Sequence, residues 1–214
     1  GARTIFRTAL GVFMLGSVLC ALSNSLGAFV GARFLQGMGG AMMVPVGRLV
    51  ILRSVEKSQL VSALAYLTVP ALVGPVVGPV LGGFITTYFD WRWIFFINLP
   101  IGLLGIVLAT KFFEDIREED VAPLDIKGFL LSSTGFAALM LGLVTGGRHL
   151  VPESVSYACV AFGALALLAY WFHARRTPHP VLNLGLLRIP TYNTGVIGGS
   201  IFRIGIGAIP FLLP

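Results

Sequence analysis

The residues with the clearest chemical potential are an arginine and a glutamine inside a long apolar segment. Arg33 and Gln36 are three positions apart, so they share one face of a helix, and glycines follow at Gly37, Gly39 and Gly40. An arginine within hydrocarbon costs at least ~2.5 kcal/mol, so we expect it to face a protein or water-filled interior and to have a partner. The apolar segments contain no Asp or Glu. Backbone groups, amides such as that of Gln36, or residues outside this sequence must therefore supply the partner, unless Arg33 lies shallow and reaches the outer interface.

The next apolar segment combines regularly spaced glycines with three prolines. Gly74, Gly78 and Gly82 are four residues apart on one helix face, where small residues let another helix approach closely, and Gly83 follows them. Each proline, Pro79 among them, removes a backbone donor and favours bending. The pattern fits a tight, bent interface in a moving part, although the glycine spacing alone favours plain structural packing.

Enzymatic chemistry has little support in the sequence. No apolar segment carries paired acids, a metal-spaced histidine cluster or an activated nucleophile. Cys20 and Cys159 each lie among apolar residues, where a cysteine usually serves as a small hydrophobic side chain. His149, His173 and His179 lack ligand spacing, and we assign them no function. We predict no catalytic residue and no metal site.

The elements that must position these residues are membrane-spanning helices. Of the 214 residues, 56% are hydrophobic and 11% are charged, whereas a soluble domain carries roughly a quarter charged residues. Several apolar blocks reach the ~20 residues that cross ~30 Å of hydrocarbon, and they do not alternate as barrel strands do. The expected fold is an all-α polytopic membrane protein. Seven spans are predicted, at residues 8–23, 26–52, 60–88, 93–113, 126–144, 157–173 and 192–214.

The basic residues divide unequally between the two sides of the predicted bundle. By position, eleven of the fifteen lie on connections that share one side, two lie on the other side, and Arg33 and Arg203 lie within spans. The positive-inside rule places the richer side and the first residue in the cytoplasm. We expect a multi-pass protein of the cytoplasmic (inner) membrane. Because basic residues sit at the ends of apolar blocks, the net charge of +6 does not indicate nucleic-acid binding. The chain begins without methionine and ends in an apolar run, so we expect a longer protein.

Four stretches, in the expected order and separation, resemble the major facilitator superfamily. Residues 74–83 read Gly-x-x-x-Gly-Pro-x-x-Gly-Gly and resemble its fifth-helix antiporter motif, and residues 31–40 resemble its fourth-helix motif. Residues 1–7 resemble the end of the basic loop motif between helices two and three. Residues 91–102 resemble the start of helix six in the fourteen-helix drug:proton antiporter branch (EmrB/QacA type).

In that branch two extra helices separate two six-helix halves, so the resemblance implies that this chain covers about helices three to nine. The implied organisation is the N-terminal half in 1–113, a cytoplasmic loop in 114–125, the two extra helices in 126–173, a second cytoplasmic loop in 174–191 and the start of the C-terminal half in 192–214.

The resemblance also implies a mechanism, in which the two halves rock around a central site. Arg33 would tune a protonatable carboxylate, with Gln36 and Arg203 as further translocation residues, while the glycine-rich third span would restrict leakage between the halves. The implied function is proton-driven efflux of drugs or other small hydrophobic or cationic compounds. The proton is the coupling ion, no other cofactor is expected, the small-molecule substrate and the lipid bilayer are the partners, and a periplasmic adaptor is left open.

Two other interpretations stay open. One is a dedicated exporter of a single endogenous metabolite, which the sequence does not separate from multidrug efflux. The other is a non-transporting membrane scaffold or receptor, whose distinguishing feature would be an appended soluble or signalling domain in the full-length chain.

Overall fold

A computed structural model describes residues 1–116, 123–147 and 151–212. These residues contain helices and no strand, which confirms the predicted all-α class. The helices are α1 (Ala2–Leu22), α2 (Leu26–Ser54), α3 (Leu60–Tyr88), α4 (Trp93–Phe96), α5 (Asn98–Phe112), α6 (Ile126–Gly146), α7 (Glu153–Ala174) and α8 (Pro190–Leu212). Short 3-10 helices at Lys57–Gln59 and Leu184–Arg188 precede α3 and α8.

Six helical segments of the described chain are long and apolar enough to cross a membrane. They are α1, α2, Lys57–Tyr88, Trp93–Phe112, α6 and α7. Their outward surfaces carry large apolar side chains such as Leu26, which is 80% exposed, and Val61, which is 81% exposed. Such continuous apolar exposure suits a lipid environment, since water-soluble monomers rarely present patches of this size. The seventh predicted span, 192–214, falls on the 23-residue helix α8 as far as residue 212, and its last two residues lie outside the described residues.

Three of the predicted spans differ clearly from the observed helices, and the sixth, predicted from residue 157, begins at Glu153. The first begins at Ala2 rather than at residue 8, because hydropathy marks only the apolar part of a helix that continues past it. The predicted fourth span is divided between α4 and α5 at Ile97. Pro100 explains the division, since it has no N–H to donate to the carbonyl of Phe96, four residues earlier.

The chain divides into two compact units, Gly1–Glu119 and Asp120–Pro214, and the division falls inside the predicted loop 114–125. In the first unit α1 and α2 touch backbone to backbone. A Cβ added at Gly16 would lie 2.6 Å from the Gln36 Cα, and one at Gly39 would lie 2.5 Å from the Phe13 nitrogen. Glycine is therefore required at both positions, because any side chain would push the two helices apart.

Helices α6 and α7 pack in the same way in the second unit. A Cβ at Gly163 would lie 2.6 Å from the Leu139 nitrogen, and one at Gly142 would lie 2.7 Å from the Ser156 carbonyl oxygen. The contacts pair the end of α6 with the start of α7, so the two helices form an antiparallel hairpin. The predicted boundaries at 173/174 and 191/192 stay predictions.

The close contact between α1 and α2 can be tested with two glycine variants on α2. Gly39→Ala should lower the apparent melting temperature of the full-length protein in detergent, because overpacking of a tight contact typically costs about 1–3 kcal/mol. Gly37→Ala is the matched control, since a Cβ at Gly37 would meet nothing within 4 Å in the described structure. Equal melting temperatures for the two variants would contradict the close α1–α2 contact.

Candidate functional site

A chain of hydrogen bonds joins three helices inside the first unit. The Arg33 Nη1 donates to the Gln36 Oε1 at 2.6 Å, and the Gln36 Nε2 donates to the Ser17 Oγ at 2.5 Å. The Asn98 Nδ2 donates to the same Ser17 Oγ at 3.2 Å. The chain thus connects α2 to α1 and α1 to α5, and we call these four residues the polar network.

The centre of the polar network is buried, so the polar groups there need hydrogen-bond partners within the protein. Gln36 is 3% exposed and Ser17 is completely buried, with Cys20 one helical turn further along α1. A buried amide costs free energy unless its donors and acceptor are satisfied, so Gln36 needs its two partners. The glycine contact at Gly16 brings the two backbones together beside Ser17, and this proximity lets the short Ser17 side chain reach the Gln36 amide.

Arg33 is oriented by neutral groups. Its guanidinium carbon lies 6.0 Å from the centre of the Phe95 ring, at the outer limit of a cation–π contact, and its described hydrogen-bond partner is the Gln36 amide. Within the described residues no carboxylate pairs with it. Arg33 and Gln36 therefore share one helix face as predicted, and the Gln36 amide is the partner that this arginine needs.

The network borders a cleft of about 600 Å³. Arg33, Gln36 and Asn98 contribute the polar part of its wall. The apolar part comes from four helices and includes Phe13, Phe29, Gly78, Leu81, Gly82, Ile94 and Phe95. A cleft with several aromatic rings and a few convergent polar groups is the usual form of a small-molecule site.

The motif glycines occupy different environments. Gly39 lies against α1, Gly40 lies 3.6 Å from the Phe13 ring as measured from an added Cβ, and Gly37 has open space. On α3, Gly78 and Gly82 line the cleft. Added Cβ atoms at Gly74, Gly78, Gly82 and Gly83 would meet nothing within 4 Å, and Pro79 lies within the same helix.

Three aromatic rings pack together near the α1–α2 turn of the first unit. The Phe29, Trp91 and Phe95 rings meet edge to face with centroids 5.7–6.0 Å apart. Arg92 packs over Trp91 at 4.8 Å and donates to the Asn24 Oδ1 at 3.2 Å. The cluster therefore ties the α1–α2 turn to the segment between α3 and α4.

Sequence reasoning missed two members of the polar network. Asn98 belongs to the stretch that resembles helix six but received no role, and Ser17 received none either. Their signal was weak, because a single small polar residue in an apolar segment often bonds only to its own helix. Arg203 lies on α8 in the second unit with its side chain exposed.

The second unit contains another cluster that the sequence did not indicate. The Asp125 carboxylate accepts a hydrogen bond from the Gly128 N–H at 2.9 Å, which caps α6, and contacts the His173 Nε2 at 2.8 Å. The Gly128 N–H and the His173 ring hold the pKa of Asp125 below its usual range. His173, to which we assigned no function, thus fixes the start of α6 against the end of α7.

Membrane-length helices that bury a polar network beside an aromatic cleft are the features of a multi-pass membrane protein. The sequence identifies the family directly. The chain belongs to the Major Facilitator Superfamily, whose sequence profile matches residues 1–213.

The chain is similar over its whole length to proteins provisionally named multidrug resistance protein MdtD. It is 44% identical to the one from Pectobacterium carotovorum subsp. carotovorum (strain PC1) and covers 46% of that protein. It is 41% identical to those from Salmonella paratyphi A (strain ATCC 9150 / SARB42) and Yersinia enterocolitica serotype O:8, and covers 45% of each. The chain thus spans less than half the length of these relatives.

The hydrogen bond between Ser17 and Gln36 can be measured with a double-mutant cycle. Gln36→Leu should destabilise the full-length protein by about 1–3 kcal/mol, because it leaves the Arg33 N–H without its acceptor and the buried Ser17 oxygen without one of its donors. Since Ser17→Ala removes the other end of the same bond, the double variant should lose less stability than the sum of the single losses, by at least ~0.5 kcal/mol. Strict additivity of the melting shifts would show that the two side chains are not coupled.

Proposed function

We propose that this chain is part of a proton-driven efflux antiporter for drugs or other small hydrophobic or cationic compounds. The single observation that carries the proposal is the Arg33–Gln36 pair on the wall of an aromatic cleft. Phenylalanine rings offer apolar contact to hydrophobic compounds and their faces attract cations. The names of the relatives, which refer to multidrug resistance, support the same substrate class.

Arg33 is the residue that we assign to proton coupling. A fixed positive charge in a low dielectric favours the ionised form of any carboxylate that comes near it, so protonation and substrate release can be linked. In this proposal the carboxylate comes from a part of the protein outside the described residues. Gln36 holds the guanidinium in place, and Arg203 on α8 is a second candidate for translocation.

The open glycine face of α3 supports a place at the interface between two halves. Gly74, Gly78 and Gly82 leave room for a helix to approach closely, and such a contact would restrict leakage. We propose that the chain belongs to the fourteen-helix branch and corresponds to about helices three to nine. Helices α6 and α7 would then be the two extra helices between the halves.

Transport and coupling can be tested in cells that express the full-length protein. We expect efflux of a fluorescent lipophilic cation that stops when a protonophore collapses the proton gradient. Arg33→Ala should remove most of the protonophore-sensitive efflux, because the charge that favours deprotonation is gone. Arg48→Ala is the matched control, since Arg48 is exposed on the same helix and does not line the cleft.

Each outcome separates the alternatives. Normal proton-driven efflux by an Arg33→Ala protein at normal membrane levels would contradict the coupling role. If the inserted protein exports no compound of a drug panel but does export one metabolite, the dedicated exporter is correct. If it transports nothing and the full-length chain carries an appended signalling domain, the scaffold or receptor is correct.

We propose that the protein lies in the inner membrane and that its first residue faces the cytoplasm. A cysteine at position 24 (Asn24→Cys), in the exposed α1–α2 turn, should react with an impermeant maleimide in intact cells. A cysteine at position 58 (Ser58→Cys), in the exposed Lys57–Gln59 turn, should react only after the membrane is permeabilised. The reverse labelling pattern, in a background without other cysteines, would invert the topology.

A further inference from the structure

We propose that the end of α7 and the segment that follows it form a binding site for the phosphate headgroup of an anionic membrane phospholipid. The site is a cavity of about 340 Å³ whose wall includes Trp171, Arg175, Asn183, Leu187 and Arg188. We call it the headgroup pocket. It lies in the second unit and shares no residue with the cleft beside Arg33.

The wall of this pocket is held by specific hydrogen bonds. The buried Tyr170 hydroxyl accepts from the Leu182 N–H at 2.7 Å and donates to the Leu182 carbonyl at 3.0 Å. The Asn183 Oδ1 then accepts from the Gly185 N–H at 3.0 Å and starts the 3-10 helix Leu184–Arg188. These bonds fix the segment back onto α7, so that both arginines border one cavity.

The pocket carries positive charge that the described residues do not neutralise. The Arg175 guanidinium stacks on the Trp171 ring at 3.8 Å, which orients its N–H groups. Arg175 and Arg188 are both exposed, and no described carboxylate pairs with either. Asp125, which contacts the end of α7 through His173, is already engaged by the Gly128 N–H and the His173 ring. Two guanidinium groups at one cavity match the charge and the geometry of a phosphate.

Apolar side chains around the pocket favour a lipid over a soluble phosphate. Leu187 in the pocket wall is 41% exposed. Leu182, Leu186 and Ile189, each next to a wall residue in the sequence, are 46%, 40% and 47% exposed. An exposed aliphatic border next to two arginines suits acyl chains that continue from a bound headgroup. The pocket also lies at the end of α7 that the charge distribution assigns to the cytoplasm, where anionic lipids attract basic residues.

Lipid retention by the full-length protein, measured by native mass spectrometry, tests this site without any transport assay. Phosphatidylglycerol should be retained in preference to phosphatidylcholine of the same chain length. The double variant Arg175→Gln/Arg188→Gln should bind phosphatidylglycerol roughly tenfold or more weakly, since each basic residue near an anionic lipid contributes about 1 kcal/mol. Phosphatidylcholine retention should not change.

Two matched variants control for charge and for folding. Arg48→Gln removes an exposed arginine from the first unit and should retain wild-type lipid binding. The double variant Arg175→Lys/Arg188→Lys keeps the charge but loses the planar guanidinium groups, so its binding should lie between that of the glutamine double variant and that of the wild type. Equal phosphatidylglycerol retention by the wild type and the glutamine double variant would overturn the proposal. Displacement of the lipid by an equal concentration of soluble glycerol phosphate would also overturn it, in favour of a soluble anion.

Discussion

Hydrocarbon offers no hydrogen-bond partners, so each polar side chain buried between membrane helices must find one inside the protein. The Gln36 amide meets this requirement in the first unit. It accepts from Arg33 and donates to Ser17, which also accepts from Asn98. The amide therefore fixes the register of α2 against α1 while it orients the one charged side chain on the wall of the cleft. The packing of α1 against α2 and the orientation of Arg33 therefore both depend on the Gln36 amide.

The glycines of this chain fall into two groups, those that lie in a helix contact and those on a helix face without a close neighbour in the described structure. Gly16 and Gly39 lie within the first unit at the contact between α1 and α2, where they let the two backbones touch. The α3 glycines meet no neighbour within 4 Å in the described structure, although two of them border the cleft. The same residue type therefore builds a fixed contact in one helix and leaves a face available in another. Only the second kind suits a contact that would form and break during the proposed transport cycle.

The sequence predicted the membrane helices well because length and apolar composition are local properties. The predicted ends of α2, α3 and α6 agree with the structure within two residues. The same-face relation of Arg33 and Gln36 also follows from helical periodicity alone. Partners that depend on which helices pack together could not be predicted. Ser17 lies 19 residues from Gln36, and Asp125 lies 48 residues from His173, so no periodicity connects them.

A neutral partner has a physical consequence for Arg33. A carboxylate in direct contact would cancel most of the arginine's field, whereas the Gln36 amide orients the guanidinium and leaves its charge intact. The aromatic walls lower the local dielectric and so extend the reach of that charge into the cleft. An arginine held in this way can act on a group that arrives and leaves, which a permanently paired one cannot. Since an exchanger needs its charged site to change partners during each cycle, the amide suits the proposed antiport better than a stable ion pair would.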